Sequence, residues 1–86
     1  MATVEEVQAG IGEFTEEAAA HGNSLRELSE QLEELKQKLG IITQGSTDGR
    51  TDQAVAGVAS ARERLIEAVQ ALVSAVENAR AWAESI

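Results

Sequence analysis

Cysteine and proline are both absent from the 86 residues, and aromatic side chains are nearly so, with Phe14 and Trp82 alone and no tyrosine. Without cysteine there is no disulfide framework and no thiolate metal site. Without proline nothing interrupts a long helix. Seven basic residues stand against fifteen acidic ones, for a formal charge of -8. The basic residues are scattered rather than gathered into the stripe that phosphate binding requires, so nucleic acid is not an expected partner. The start, "MATVEEVQAG", has neither a basic segment nor an apolar run of the kind a cleaved signal needs. "AVQALVSAV" (68–76), as long as any uncharged stretch of the second half, is too short to span a bilayer. A soluble cytoplasmic protein is expected, with export by a route that cleaves no signal as the alternative. At this length the chain forms at most one small domain.

What is present is a mostly helix-favouring composition with a sustained three-four apolar repeat. In the first half the repeat runs Val4, Val7, Ile11, Phe14, Ala18, His21, Leu25, Leu28, Leu32, Leu35, Leu39 and Ile42, and only His21 is polar. In the second half it runs Val55, Val58, Arg62, Leu65, Val69, Leu72, Val76, Ala79, Ala83 and Ile86, with Arg62 the exception. Between them, "GSTDGRT" (45–51) has no apolar residue and reads as the loop. Thr3 with Glu6 forms a capping-box signature at the start, and Gly45 is a natural left-handed stop. Lys36 and Lys38 suit the negative end of the first helix, and Thr51 or Asp52 can cap the second. These signals predict an all-α antiparallel hairpin in a single domain: helix 1 over about 4–44, a loop over about 45–51, and helix 2 over about 52–86.

The stretch "EEAAAHGNSLREL" (16–28) carries signals of a break, with Gly22 as a stop and Ser24 and Glu27 as a second capping box. Against them, the heptad phase is the same on both sides of the stretch, which a loop would normally lose. The expectation is one continuous helix, bent at most locally near Gly22.

The rows flanking the repeat differ between the halves. Helix 1 carries Gln8, Thr15, Gly22, Ser29 and Lys36 on one edge and Gly10, Glu17, Ser24, Gln31 and Lys38 on the other, all polar or small. Helix 2 carries Ala59, Ile66 and Val73 on one edge, and Ala54, Ala61, Ala68, Ala75 and Trp82 on the other. Helix 2 is therefore expected to have the broader apolar arc, wider than one narrow neighbour covers. This leads to an expected interface of Ile66, Val69, Val73, Val76 and Trp82, through which two hairpins form a homodimeric four-helix bundle; a different helical protein on the same face is the alternative.

Candidates for chemistry are few. His21 could be a buried pH switch or a metal ligand with Glu17 one turn earlier, but the Glu-x-x-His spacing of carboxylate-bridged metal bundles is absent because Ala18 stands three residues before it. The reading adopted is a polar seam residue near Gly22. Six serines share that one histidine, and no nucleophile motif surrounds any of them. "GSTDGR" lacks the spacing and the lysine of a phosphate loop. Arg62 is expected to reach solvent or pair with a helix 1 acid such as Glu34. No catalytic, cofactor or metal residue is assigned, and no enzymatic role is expected.

The size, the two amphipathic helices and the short polar loop, with "TVEEVQAGI", "IITQGS" and "ARAWAESI", resemble the WXG family of small type VII secretion proteins. The likeness extends to the signature-poor actinobacterial hairpin proteins that accompany secreted toxins. The family's Trp-x-Gly is not in the loop, and its Tyr-x-x-x-Asp/Glu export signal is missing, so no residue role is carried over. What the resemblance implies is an interaction module, either a secretion substrate or, in better accord with the missing signals, an adaptor or chaperone for a toxin or secretion component. A structural self-associating coiled coil with no secretion role is the alternative.

Overall fold

The structure, a computed structural model, describes residues 2–86. Two helices, α1 (Val4–Ile42) and α2 (Gly49–Ser85), pack along their whole length as an antiparallel hairpin. The rod measures 63 × 17 × 16 Å, as expected for helices of nearly forty residues rising 1.5 Å per residue. No helix among the described residues is long and apolar enough to cross a membrane.

α1 passes through 16–28 without a break. Gly22 keeps a negative φ. Ser24 does not cap; its hydroxyl donates back to the Ala20 carbonyl at 3.2 Å, as a serine inside a helix does. The preserved heptad phase reflects a helix that never leaves its neighbour. At the N-terminus Thr3 is the cap, its Oγ1 accepting from the Glu6 N–H at 3.1 Å.

The turn is tighter than expected. α1 ends at Ile42, and its last turn holds no basic residue, so Lys36 and Lys38 lie too early to serve its negative end. Thr43 closes the helix, with its N–H donating to the Leu39 carbonyl at 3.0 Å. Gly45, at φ +85°, is the only left-handed residue among those described, and it reverses the chain. α2 starts at Gly49, three residues before the expected Asp52, because Asp48 is the cap rather than Thr51 or Asp52. Asp48 Oδ1 accepts from the Arg50 N–H at 2.9 Å. An aspartate in this position meets an orphan donor at the positive end of the helix.

The seam between the helices matches the expected repeat in α2. From Val55 through Ala83 every position of that row is buried or half-buried, and only Ile86, at the end, is exposed. In α1 the seam is rotated. The row Ile11, Ala18, Leu25, Leu32 and Leu39 faces α2 as expected, but its partner row is Thr15, Gly22, Ser29, Lys36 and Thr43. The other half of the expected stripe points away: Phe14, Leu28, Leu35 and Ile42 are exposed, and so is His21.

Volume explains the rotation. α2 brings Val69, Leu72 and Val76 to the seam, and the small residues Ala18 and Gly22 beside them give them room. Bulk against small side chains lets the axes approach and fills the space between them. The polar members cost little to cover because their hydroxyls are satisfied inside α1. Thr15 donates to the Ile11 carbonyl at 2.9 Å, Ser29 to Arg26 at 2.8 Å, and Thr43 to Leu39 at 2.9 Å.

Candidate interaction face

The hairpin has two broad sides, and the rows flanking the seam decide their character. Ala19 and Arg26 of α1 line one open cavity of about 270 Å³ together with Val73, Glu77 and Arg80 of α2. The Ala19–Arg26 flank of α1 and the Ile66–Val73–Arg80 flank of α2 therefore share one side. By the same helical geometry the remaining flanks share the other.

The two sides differ in chemistry. The cavity side mixes apolar residues with Glu5, Arg26, Glu33, Asp52 and Arg80. Opposite it, α1 presents Val7, Phe14, His21, Leu28, Leu35 and Ile42, and α2 presents Ala54, Ala61, Ala68, Ala75 and Trp82. No Asp, Glu, Lys or Arg occurs among these eleven positions, in a chain where charged residues make up 26%. His21 is the one polar rung. Leu35 is 50% exposed, Leu28 46% and Trp82 52%. An uncharged face along nearly the whole rod, with large apolar groups in solvent, has the character of an interaction surface.

The expected interface residues are distributed across this geometry. Val69 is buried against α1 inside the hairpin, and Val76 is half-buried on the same seam, so both already have a neighbour. Ile66 is half-buried and Val73 exposed, both on the cavity side. Trp82 is exposed on the uncharged side. The two edges of α2 thus face opposite ways, and one neighbour docked on one side does not cover both. The expectation that Phe14, Leu28, Leu35 and Ile42 belong to the seam is corrected: their row lies open because α1 packs through the neighbouring row of Thr15, Gly22 and Ser29. The clue in the sequence was the Thr15–Gly22–Ser29 row, which combines small volume with hydroxyls able to bond their own helix.

Charge pairing across the hairpin is sparse. Arg62, on the seam of α2, lies beside Glu33 rather than Glu34, with Nε 3.7 Å from Oε2. Lys36 approaches the same oxygen at 3.7 Å. At that separation Arg62 Nε is near its counter-charge but not hydrogen-bonded, and it is buried without a bonding partner. Gln8 Nε2 donates to the Ala83 carbonyl at 3.2 Å, a further tie between the helices. At the turn, the Arg50 side chain folds back onto Asp48, with Nη2 2.6 Å from Oδ2. That side-chain bond, with the Arg50 backbone N–H second, holds the Asp48 carboxyl below its ordinary range and raises the Arg50 guanidinium in turn.

Among the described residues no three His, Asp or Glu side chains converge on a point where a metal ion would sit. Glu17 and His21, one turn apart, are both exposed. Comparison of the chain with protein-family models, with curated proteins and with solved structures finds no match.

Proposed function

We propose that this hairpin is a non-enzymatic protein–protein interaction module whose task is to pack against other helices. The observation that carries the reading is a surplus of exposed surface. A compact monomer of 9.1 kDa exposes about 4,900 Å², whereas this rod exposes 6410 Å². Among the described residues the buried apolar ones are Ala18, Val69 and Ala83, and no large side chain is fully covered. Its radius of gyration is 19.3 Å, against about 12 Å for a compact chain of this length. A two-helix unit with so little interior gains much of its stability from what it binds.

The resemblance to small type VII secretion proteins supports a place beside secreted toxins, as adaptor, chaperone or substrate, acting in the cytoplasm or leaving it without a cleaved signal. Because the loop lacks the family's Trp-x-Gly, the adaptor or chaperone role is the better fit. A photo-crosslinking amino acid at Leu35 in the native host tests the interaction reading, with one at Glu30, on an exposed outward position, as control. Adducts to a helical protein, either a second copy or a different chain, are expected from position 35 and not from 30. Equal yields from the two positions would remove the support for a dedicated face. Comparing culture supernatants with and without the host's secretion ATPase separates substrate from resident companion.

A further inference from the structure

Resting on the interaction reading, we infer that the uncharged side of the hairpin is occupied by a second copy of this chain, with α1 of one copy lying over α2 of the other about a two-fold axis parallel to the helices. The two rows of this face are unequal in bulk. α1 contributes Phe14, Leu28 and Leu35, while α2 contributes chiefly alanines. An axis perpendicular to the helices would stack α1 on α1 and α2 on α2, bulk on bulk and alanine on alanine, leaving a wedge-shaped gap. The parallel axis sets Leu28 and Leu35 over the alanine row along both edges at once, with Phe14 near Trp82, and it makes each helix antiparallel to both neighbours.

The register within one chain supports the same arrangement. A rotation about an axis parallel to the rod keeps every residue at its own height. Each α1 residue therefore meets, in the second copy, the level of α2 it already faces at home. Gly22 lies against Leu72, and Glu33 is beside Arg62. Leu28 then stands near the level of Ala68, Leu35 near that of Ala61 and Phe14 near that of Trp82, so the leucines lie over small side chains and the two aromatics meet. The area is adequate too. A face 63 Å long and 17 Å wide offers about 1,000 Å² per copy, above the ~800 Å² of a standard stable interface. His21 stands near the level of Ala75 and is the one position where the pattern forgoes an apolar knob.

The absence of cysteine permits a clean test. Leu28→Cys and Ala68→Cys chains, both altered at exposed positions, are mixed and oxidised, and the mass of the full-length protein is measured by light scattering. The expected result is a native dimer, a mixed disulfide between the two variants, and little disulfide from either alone. His21→Leu should tighten the dimer by at least about tenfold, since two rungs gain apolar burial. A native dimer with no mixed disulfide, or one dissociated by Ile66→Glu with Val73→Glu but not by Leu28→Glu, would overturn this face while leaving the interaction reading intact. A folded monomer at high concentration would overturn the two-copy assignment and leave the face to a helix of a different protein. Loss of the crosslink preference for Leu35 over Glu30 would instead strike the interaction reading itself.

Discussion

Two rows run along α1 on either side of the shared row Ile11, Ala18, Leu25, Leu32 and Leu39. One is oily and bulky: Phe14, Leu28, Leu35, Ile42. The other is mostly polar and, apart from Lys36, small: Thr15, Gly22, Ser29, Lys36, Thr43. The hairpin buries the second and exposes the first. A ranking of rows by hydrophobicity alone gives the opposite order. Packing is a matter of filled volume as well as transferred area, and a helix bearing Val69, Leu72 and Val76 is better matched by room than by more bulk. The contrast also assigns separate tasks to the rows. The small row holds the hairpin closed, and the bulky row is left in solvent, where the proposed association would use it.

The sharpest way to break this contrast is one charge placed on each side of it. Val69→Asp puts an unpaired carboxylate on the closed seam and should cost about 3 kcal/mol or more. Circular dichroism should show lost helix at every protein concentration. Leu35→Asp, on the open row, should leave the hairpin's own contacts in place and remove only the part of the stability that rises with concentration. If both variants unfold alike on dilution as well as at high concentration, the division between the rows is wrong.

Ser29→Leu sharpens it next. Read as the edge of an apolar stripe, position 29 would accept leucine or gain from it. Placed where it is, 9% exposed and facing α2, a leucine overfills the seam and should cost about 1–3 kcal/mol. That is a fall in Tm of several degrees for a domain of this size. An unchanged or raised Tm would return Ser29 to the solvent edge.

Gly22→Ala tests the same row with the sign reversed. An added Cβ would meet Leu72 Cδ2 at 4.0 Å, ordinary van der Waals contact. The steric term is therefore small, and the helix-propensity gain of about 0.8–1 kcal/mol should appear as a higher unfolding midpoint in urea with an unchanged slope. A lower midpoint would mean that the helices approach more closely at Gly22 than this geometry places them.

The unequal legibility of the two helices follows from the same contrast. In α2 one row pair is apolar except for Arg62, and alanine is the commonest residue of the flanks, so the repeat identifies the seam from Val55 to Ala83. In α1 the repeat marks Ile11, Ala18, Leu25, Leu32 and Leu39 without ambiguity, but two neighbouring rows compete for the second place, and a heptad pattern carries no term for the volume brought by the opposite helix. The continuity of α1 through Gly22 was legible because phase is a long-range property. The start of α2 was not, because Ser46, Thr47, Asp48, Thr51 and Asp52 are all capable caps, and the choice rests on where Gly45 reverses the chain. The exposure of Val73 and Trp82 could be anticipated from their rows. That they face opposite ways could not, since it depends on which flank of α1 lies beside each.

The smallest expected effect is at the turn, where the cap sets the point at which the two helices begin to align. Asp48 is held below its ordinary carboxyl value of 3.8, first by the Arg50 side chain and then by the Arg50 N–H. A group depressed in the folded state contributes stability that is complete above its unfolded value and disappears as pH falls through its folded one. The cap should therefore be at full strength at neutral pH and weaken below about pH 4. The group is exposed, so the electrostatic part should also shrink with added salt. Asp48→Asn keeps an acceptor for the Arg50 N–H but gives up the charge. It should lower Tm by no more than a few degrees at pH 7 and make the decline between pH 4 and pH 2 shallower than in the native chain. Thermal unfolding of both proteins across that range measures the difference, and parallel acid declines would show that Asp48 contributes nothing through its charge.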